Sequence, residues 1–345
     1  MRIYKEKLKA CAVDILIASG ESKAGADTVA DSLVKADARG IVTHGTYLLT
    51  PIHKRAQANQ LSLPTVALVV EDDNASAVVD GGDGLGAIAG KLAVETALGK
   101  AKKYGVSTVL IRNTNNVGSL AIYTEAAAKQ GMIAFMCCNA APAMAPWGGA
   151  EAFVGTNPIA MAVYTGKDLV FSADMASSVV ARGKIRKAAR NGECIPDSWA
   201  MDKDGNFTTD PHAALKGTLL PMGGPKGSAI GLMVDILSGI LSGSRYAPDL
   251  KSFHSPEGST GVGAALTVVD ISKFMSLDIF AGLMQDYIKR IKGLKKANGF
   301  NEIYMPGEIE YGKEQAGSKD GIELDDNAVA AINYLLQTIK SDKKI

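Results

Sequence analysis

The chain of 345 residues is 47% apolar and 21% charged, and 37 basic against 36 acidic side chains leave a net charge of +1. That balance offers no field for a phosphate polymer, so it argues against a nucleic-acid binder, and the composition is that of a folded globular protein. At ~100–200 residues per domain the length suits two or three lobes.

From residue 2 the N-terminus alternates charged and apolar side chains, so it does not read as a secretory signal. The first 60 residues read as helices. Ala26, Val29, Leu33 and Ala36 recur at helical spacing, and Gly40 is a stop signal. His44 then falls at the mouth of another helix. From 75 to 137 the pattern alternates between strands (75–81, 106–113, 132–138) and helices (86–105, 120–131), which predicts α/β organisation. Further strands are predicted at 159–165, 168–176 and 265–271. A helix with one basic face is predicted over 176–192, where Ser177 and Ser178 are candidate caps. Asp204-Gly205 signals a tight turn. Residues 219–243 read as a Gly-rich loop entering a long apolar helix, and 277–297 and 327–340 as further helices. Helices at both chain ends around a sheet-rich middle predict a helical domain from 1–70 and 305–345 and a central domain over 71–304.

Two absences narrow the class. The most apolar stretch, 230–241, is interrupted by Asp235 and falls short of the ~20 residues a bilayer requires. Cys11, Cys137, Cys138 and Cys194 have no C-x-x-C spacing, and the four histidines add no ligand pattern. No metal is expected, and the thiols read as reduced cysteines of a cytoplasmic protein.

Three loops are candidates for a ligand. Gly84-x-Gly86-x-x-Ala89 fits a dinucleotide-binding turn, but the next strand ends on Arg112 where an acidic residue should meet the ribose. The same glycines also fit a tight strand–helix turn with close packing. Gly223–Gly227 combines backbone donors, a helix start and Lys226, the makings of an anion site, without the full phosphate-loop pattern. The run from Asp174 leads into Arg182, Lys184, Arg186 and Lys187, which suit either a solvated face or a cofactor phosphate.

These loops, in this order, resemble one family. Thr43-His44-Gly45, 145–160, 174–184, 195–211, 219–243 and 305–308 look like signatures of the malate/L-lactate dehydrogenase family of NAD(P)-dependent oxidoreductases, most like its ureidoglycolate dehydrogenase branch. The resemblance runs from about residue 5 to 340. It implies a mixed α/β, non-Rossmann nucleotide-binding fold, a homodimer, and a small 2-hydroxy or 2-keto acid as substrate. It further implies NAD or NADP, with NAD favoured, bound through Ala140, Asp174–Ala176 (Asp174, Met175, Ala176), Gly224, Pro225, Lys226, Pro306, Gly307 and Glu308. Hydride transfer at a carbinol carbon needs a proton carrier with a pKa near neutrality, and His44 is the candidate.

The chain departs from the family pattern at two points. Asn116 stands where relatives usually have a second histidine, and asparagine cannot relay a proton. Leu48, preceded by Tyr47, stands where relatives usually have an arginine for the substrate carboxylate. Tyr47 and Leu48 are therefore the candidate substrate contacts, with Lys54 and Arg55 as substitute cations. The competing readings are a nucleotide-binding protein with altered catalysis, a reductase of a cyclic imine or non-carboxylate ketone, and a Rossmann-type reductase using Gly84–Ala89.

Overall fold

The computed structural model describes residues 1–255 and 257–345. In chain order the elements are β1 (Arg2–Ile3), α1 (Lys5–Ala18), α2 (Lys23–Ala38), α3 (Leu49–Gln57), β2 (Leu68–Asp73), β3 (Ser76–Asp80), α4 (Gly86–Tyr104), β4 (Val106–Thr114), α5 (Ala121–Ala128), β5 (Met132–Cys138), β6 (Ile159–Val163) and β7 (Phe171–Met175). There follow α6 (Arg182–Asn191), β8 (Ala200–Met201), α7 (Pro211–Lys216), β9 (Thr218–Leu219), α8 (Pro225–Asp235), β10 (Val262–Asp270), α9 (Leu277–Lys292), α10 (Glu308–Asp320), β11 (Ile322–Glu323) and α11 (Asp326–Thr338).

The main sheet has seven strands in the order β2-β3-β4-β10-β5-β6-β7. Only β3 and β4 run parallel; every other neighbouring pair is antiparallel. A doubly wound dinucleotide fold is mostly parallel, so this mixed α/β sheet is of a different kind. Strand β10 sits at the centre because Ala264, Leu266 and Val268 bury one face between β4 and β5. Helices α4 and α5 cover that face, joined by Val109, Ile111, Ala134 and Met136. Helix α8 and the π-helical turn that continues it (Ile236–Ile240) lie on the other face, against Cys137 and Ala265.

A separate apolar core joins α1, α2, α3 and α11, with Leu8, Ile15, Leu16, Leu33, Leu49 and Leu335 inside. Burying each such side chain contributes about 1.5–3 kcal/mol. The helices start where short polar side chains cap them: Ser22 accepts from Gly25 N at 3.1 Å and Asp325 from Ala328 N at 2.7 Å. A third, smaller core collects Met144, Ile185, Ile195 and Leu219 around α6 and α7.

The predicted helix over 176–192 is shorter than the pattern suggested. It begins at Arg182 behind Ala181, which provides no side-chain cap. Ser177 Oγ instead donates to Thr156 O at 2.9 Å, and Ser178 Oγ to Val180 O at 2.9 Å, so these hydroxyls tie down an extended segment. The Asp204-Gly205 turn is present, with Gly205 at φ 84° and its N–H on Asp202 O.

Helix α2 is bound to the sheet layer by charge. Buried Arg39, at its end, donates through Nη1 to Glu125 on α5 and through Nε to Glu314 on α10 at 2.7 Å. The Arg39 contact holds the Glu125 carboxyl below its usual 4.5 against the opposing effect of burial. A depressed carboxyl contributes stability that is present at neutral pH and lost as pH falls through its folded-state value. Arg39→Met should therefore cost about 3–5 kcal/mol at pH 7, because buried Glu125 is left with the Ser172 hydroxyl and the more distant Lys35 at 3.6 Å. Urea unfolding at pH 7 and at pH 3.5 checks this, and the deficit should shrink at the lower pH.

Candidate active site

After α2 the chain turns back on itself. Ile41 N bonds Ala36 O at 2.8 Å, and a 3-10 turn over Val42–His44 carries the histidine. The turn is held from below by buried Asp37, whose Oδ2 accepts from Thr46 N at 2.8 Å and Thr46 Oγ1 at 2.6 Å. His44 is partly exposed, yet its Nδ1 is enclosed and has no hydrogen-bond partner among the described residues. Burial pushes the imidazole below its usual 6.5, and the Asp174 carboxylate acts in the opposite sense.

Asp174, on β7, is fixed where α5 begins. Its Oδ2 accepts from Ser119 Oγ at 2.8 Å and from Ala121 N at 3.0 Å. Helix N-termini favour a carboxylate, which explains why the group is stable there. The exposed Met175 and the half-buried Ala176 follow.

The segments singled out for the cofactor lie along β7 and just beyond it. Ser177 O accepts from Met222 N at 2.9 Å, which brings the Asp174–Ala176 run beside Gly224, Pro225 and exposed Lys226 at the start of α8. The Trp147 ring lies 3.1 Å from where a Cβ of Gly224 would stand, and Trp147 N donates to Ser228 Oγ at 2.8 Å. Pro306 O accepts from Ser172 N at 3.1 Å, and Glu308 pairs with Lys292 at 2.6 Å while accepting from Met305 N. Ala140 N donates to Asn157 Oδ1 at 3.0 Å, and Asn157 reaches Gly231 on α8. Gly84–Ala89 packs against Asn116 instead: a Cβ on Gly86 would lie 2.6 Å from Asn116 O, so the glycine is needed for close backbone packing, and Leu85 and Ala87 line the same cavity as Asn116.

Asn116 Oδ1 accepts from Gly118 N at 2.7 Å. It lines a small cavity with Val29, Leu33, Leu48, Ile52 and Phe253. Leu48 is 3% exposed and belongs to the helical core. Tyr47 is exposed, its ring centroid 6.2 Å from that of His254. Arg55 is buried and committed to Ser255 O and Gly258 O with its guanidinium over Phe253, so of the two substitute cations only Lys54 is exposed. His53 Nδ1 is hydrogen-bonded to Ser19 Oγ at 2.9 Å. Asp37, Thr46 and Ser119 escape the motifs altogether. Among the described residues no three His, Cys, Asp or Glu side chains cluster as metal ligands.

A model of the malate/L-lactate dehydrogenase family matches residues 3–333. The chain is 38% identical to L-sulfolactate dehydrogenase of Methanocaldococcus jannaschii, over 95% of this chain and 94% of that one. It is 32% identical to ureidoglycolate dehydrogenase (NAD(+)) of Escherichia coli K12, over 95% and 93%. It is 35% identical to (2R)-3-sulfolactate dehydrogenase (NADP(+)) of Chromohalobacter salexigens, over 86% of each. The solved sulfolactate dehydrogenase from M. jannaschii superposes with a TM-score of 0.92 over 99% of this chain and 98% of that chain.

Because Asp174 opposes the burial effect at His44, Asp174→Asn should lower the His44 pKa further below 6.5. An NMR titration of the imidazole in both proteins checks the sign.

Proposed function

The chain belongs to the malate/L-lactate dehydrogenase family, and on that premise we propose that it is an NAD(P)-dependent dehydrogenase of a small 2-hydroxy acid, with His44 as its proton carrier. The observation that carries this is the enclosed, unpartnered Nδ1 of His44 beside Asp174, next to the meeting point of three loops. The residues fit a nicotinamide dinucleotide. Gly224, Pro225 and Lys226 would hold a phosphate at the start of an eleven-residue helix, with Asp174–Ala176, Ala140 and Pro306–Glu308 around it. When bound, the nicotinamide supplies or takes the hydride.

His44 handles the proton at an imidazole nitrogen. Its lowered pKa keeps it neutral at pH 7, ready to accept the hydroxyl proton in the oxidative direction, and Asp174 stabilises the imidazolium that results. Asn116 contributes hydrogen bonding and no proton transfer. The cofactor is NAD or NADP, with NAD favoured: one relative is named for NAD(+) at 95% coverage of this chain and another for NADP(+) at 86%.

The protein is a homodimer of the cytoplasm with a helical domain from 1–70 and 305–345 and a central domain over 71–304. The helical core around α1, α2, α3 and α11 supports this division, and four unpaired cysteines support that compartment. Helix α9 supports the dimer: none of its 16 residues is buried, yet Ile279, Leu283 and Tyr287 form an exposed apolar stripe. Met233, Ile236 and Ile240 form a second one. Unpaired apolar stripes of this kind mark interfaces. Sedimentation should give twice 36.0 kDa, and Ile279→Glu with Leu283→Glu should shift the protein to monomer.

The activity test is spectrophotometric, with NADH and NADPH separately against pyruvate, oxaloacetate, oxalurate and 3-sulfopyruvate. Reduction needs protonated His44, so its rate should fall as pH rises through the His44 value, while oxidation should rise over the same range. His44→Ala should lose ~10²–10⁴ in the hydride-transfer rate with cofactor affinity retained. A near-wild-type single-turnover rate in that variant would remove His44 from the chemistry.

A further inference from the structure

The His44 ring has no side chain among the described residues bonded to its enclosed Nδ1, so its orientation depends on the backbone that carries it. That backbone is fixed from one side by a single carboxylate. Asp37, 4% exposed at the end of α2, accepts both the N–H and the hydroxyl of Thr46, two residues beyond His44. Between them lies Gly45, where a Cβ would overlap the Asp37 carboxyl. The loop therefore lies directly on the carboxylate, with no room for a side chain.

We propose that Asp37 is a positioning residue: its carboxylate fixes the Thr43–Thr46 backbone and thereby the place from which His44 presents its imidazole. This rests on His44 being the proton carrier.

The cost of the arrangement points the same way. Burial pushes the Asp37 carboxyl up to about 6 despite its two bonds to Thr46, and Asp325 at the start of α11 adds repulsion. The raised value means that the ionised group costs stability at neutral pH. A buried acid kept beside a reactive loop at the expense of stability fits a functional role better than a scaffold role. The geometry also says which feature matters. Both bonds go to one oxygen, Oδ2, so an amide oxygen can replace it, whereas a methyl group cannot.

The test compares Asp37→Ala with Asp37→Asn. Asp37→Ala should lower kcat on the order of 10²-fold, the scale of a misplacement of ~1 Å, with cofactor Kd unchanged. Asp37→Asn should restore most of the turnover and melt no lower than the parent. Full kcat in Asp37→Ala overturns the proposal, as does Asp37→Asn being equally inactive, or a loss of cofactor affinity that accounts for the loss of rate. If Asp37→Ala does not fold, Thr46→Val, which deletes one of the two bonds and keeps the other, carries the same comparison. If the parent protein turns over no 2-oxo acid, the functional reading fails and the claim about Asp37 is read from His44 itself. Its NMR pKa should then rise toward 6.5 in Asp37→Ala as the loosened loop admits water, and an unchanged titration overturns the proposal.

Discussion

The end of helix α2 is where the molecule is tied together. Within three residues, Asp37 grips the His44 loop, and Arg39 reaches Glu125 on α5 and Glu314 on α10. Taking a guanidinium and a carboxylate out of water costs several kcal/mol each, and only close, multiply bonded geometry offsets it. Two carboxylates around one fork satisfy that condition. The directions agree, since the Arg39 value is raised and the Glu125 value lowered despite burial. Helix α5 is consequently held twice, at its first turn by Asp174 and along its length by Arg39. The position of His44 relative to Asp174 follows from this bracing.

Strand β7 organises the other half of the site. It is an edge strand, and an edge exposes backbone groups that need cover. Pro306 takes the N–H of Ser172, and the loop before α10 thereby seals the edge. Two residues on, Asp174 binds the start of α5, and just past the strand Ser177 takes the N–H of Met222. Loops from residues 116–121, 219–226 and 305–308 are thus gathered by one short strand. Sequence distance is no guide to this clustering, because antiparallel pairing brings remote segments to the same edge.

The strands at 132–138 and 262–270 are legible as nearly unbroken apolar runs, because both lie inside the sheet and most of their side chains are buried. Helix α10 gave no such signal: of its 13 residues only Gly317 is buried, so no apolar stripe exists to read. The serine caps expected before α6 failed because a tertiary contact to Thr156 and a local bond to Val180 claimed the hydroxyls. Among the site residues, His44 and the glycine loops carry local patterns, whereas the pairing of Asp174 with Ser119 depends on the fold alone. Asp37 had a faint signal. It continues the buried face of Ala26, Ala30 and Leu33, a lone acid on an apolar stripe.

The two positions that the sequence marked as departures from the family pattern share one cavity. Leu48 and Asn116, far apart in sequence, line the same cavity with Val29, Leu33, Ile52 and Phe253. Its volume of about 20 Å³ accommodates roughly one water molecule. With Leu48 packed in the helical core, a guanidinium there would be surrounded by apolar side chains and would need a buried carboxylate that the lining does not contain. A second histidine at 116 would face the same small, mostly apolar space. An arginine and a histidine would repel each other when both are charged, and neither would be solvated. Leucine with asparagine fills the space with one neutral polar group whose oxygen is already satisfied by Gly118 N. Leucine and asparagine therefore suit this cavity together.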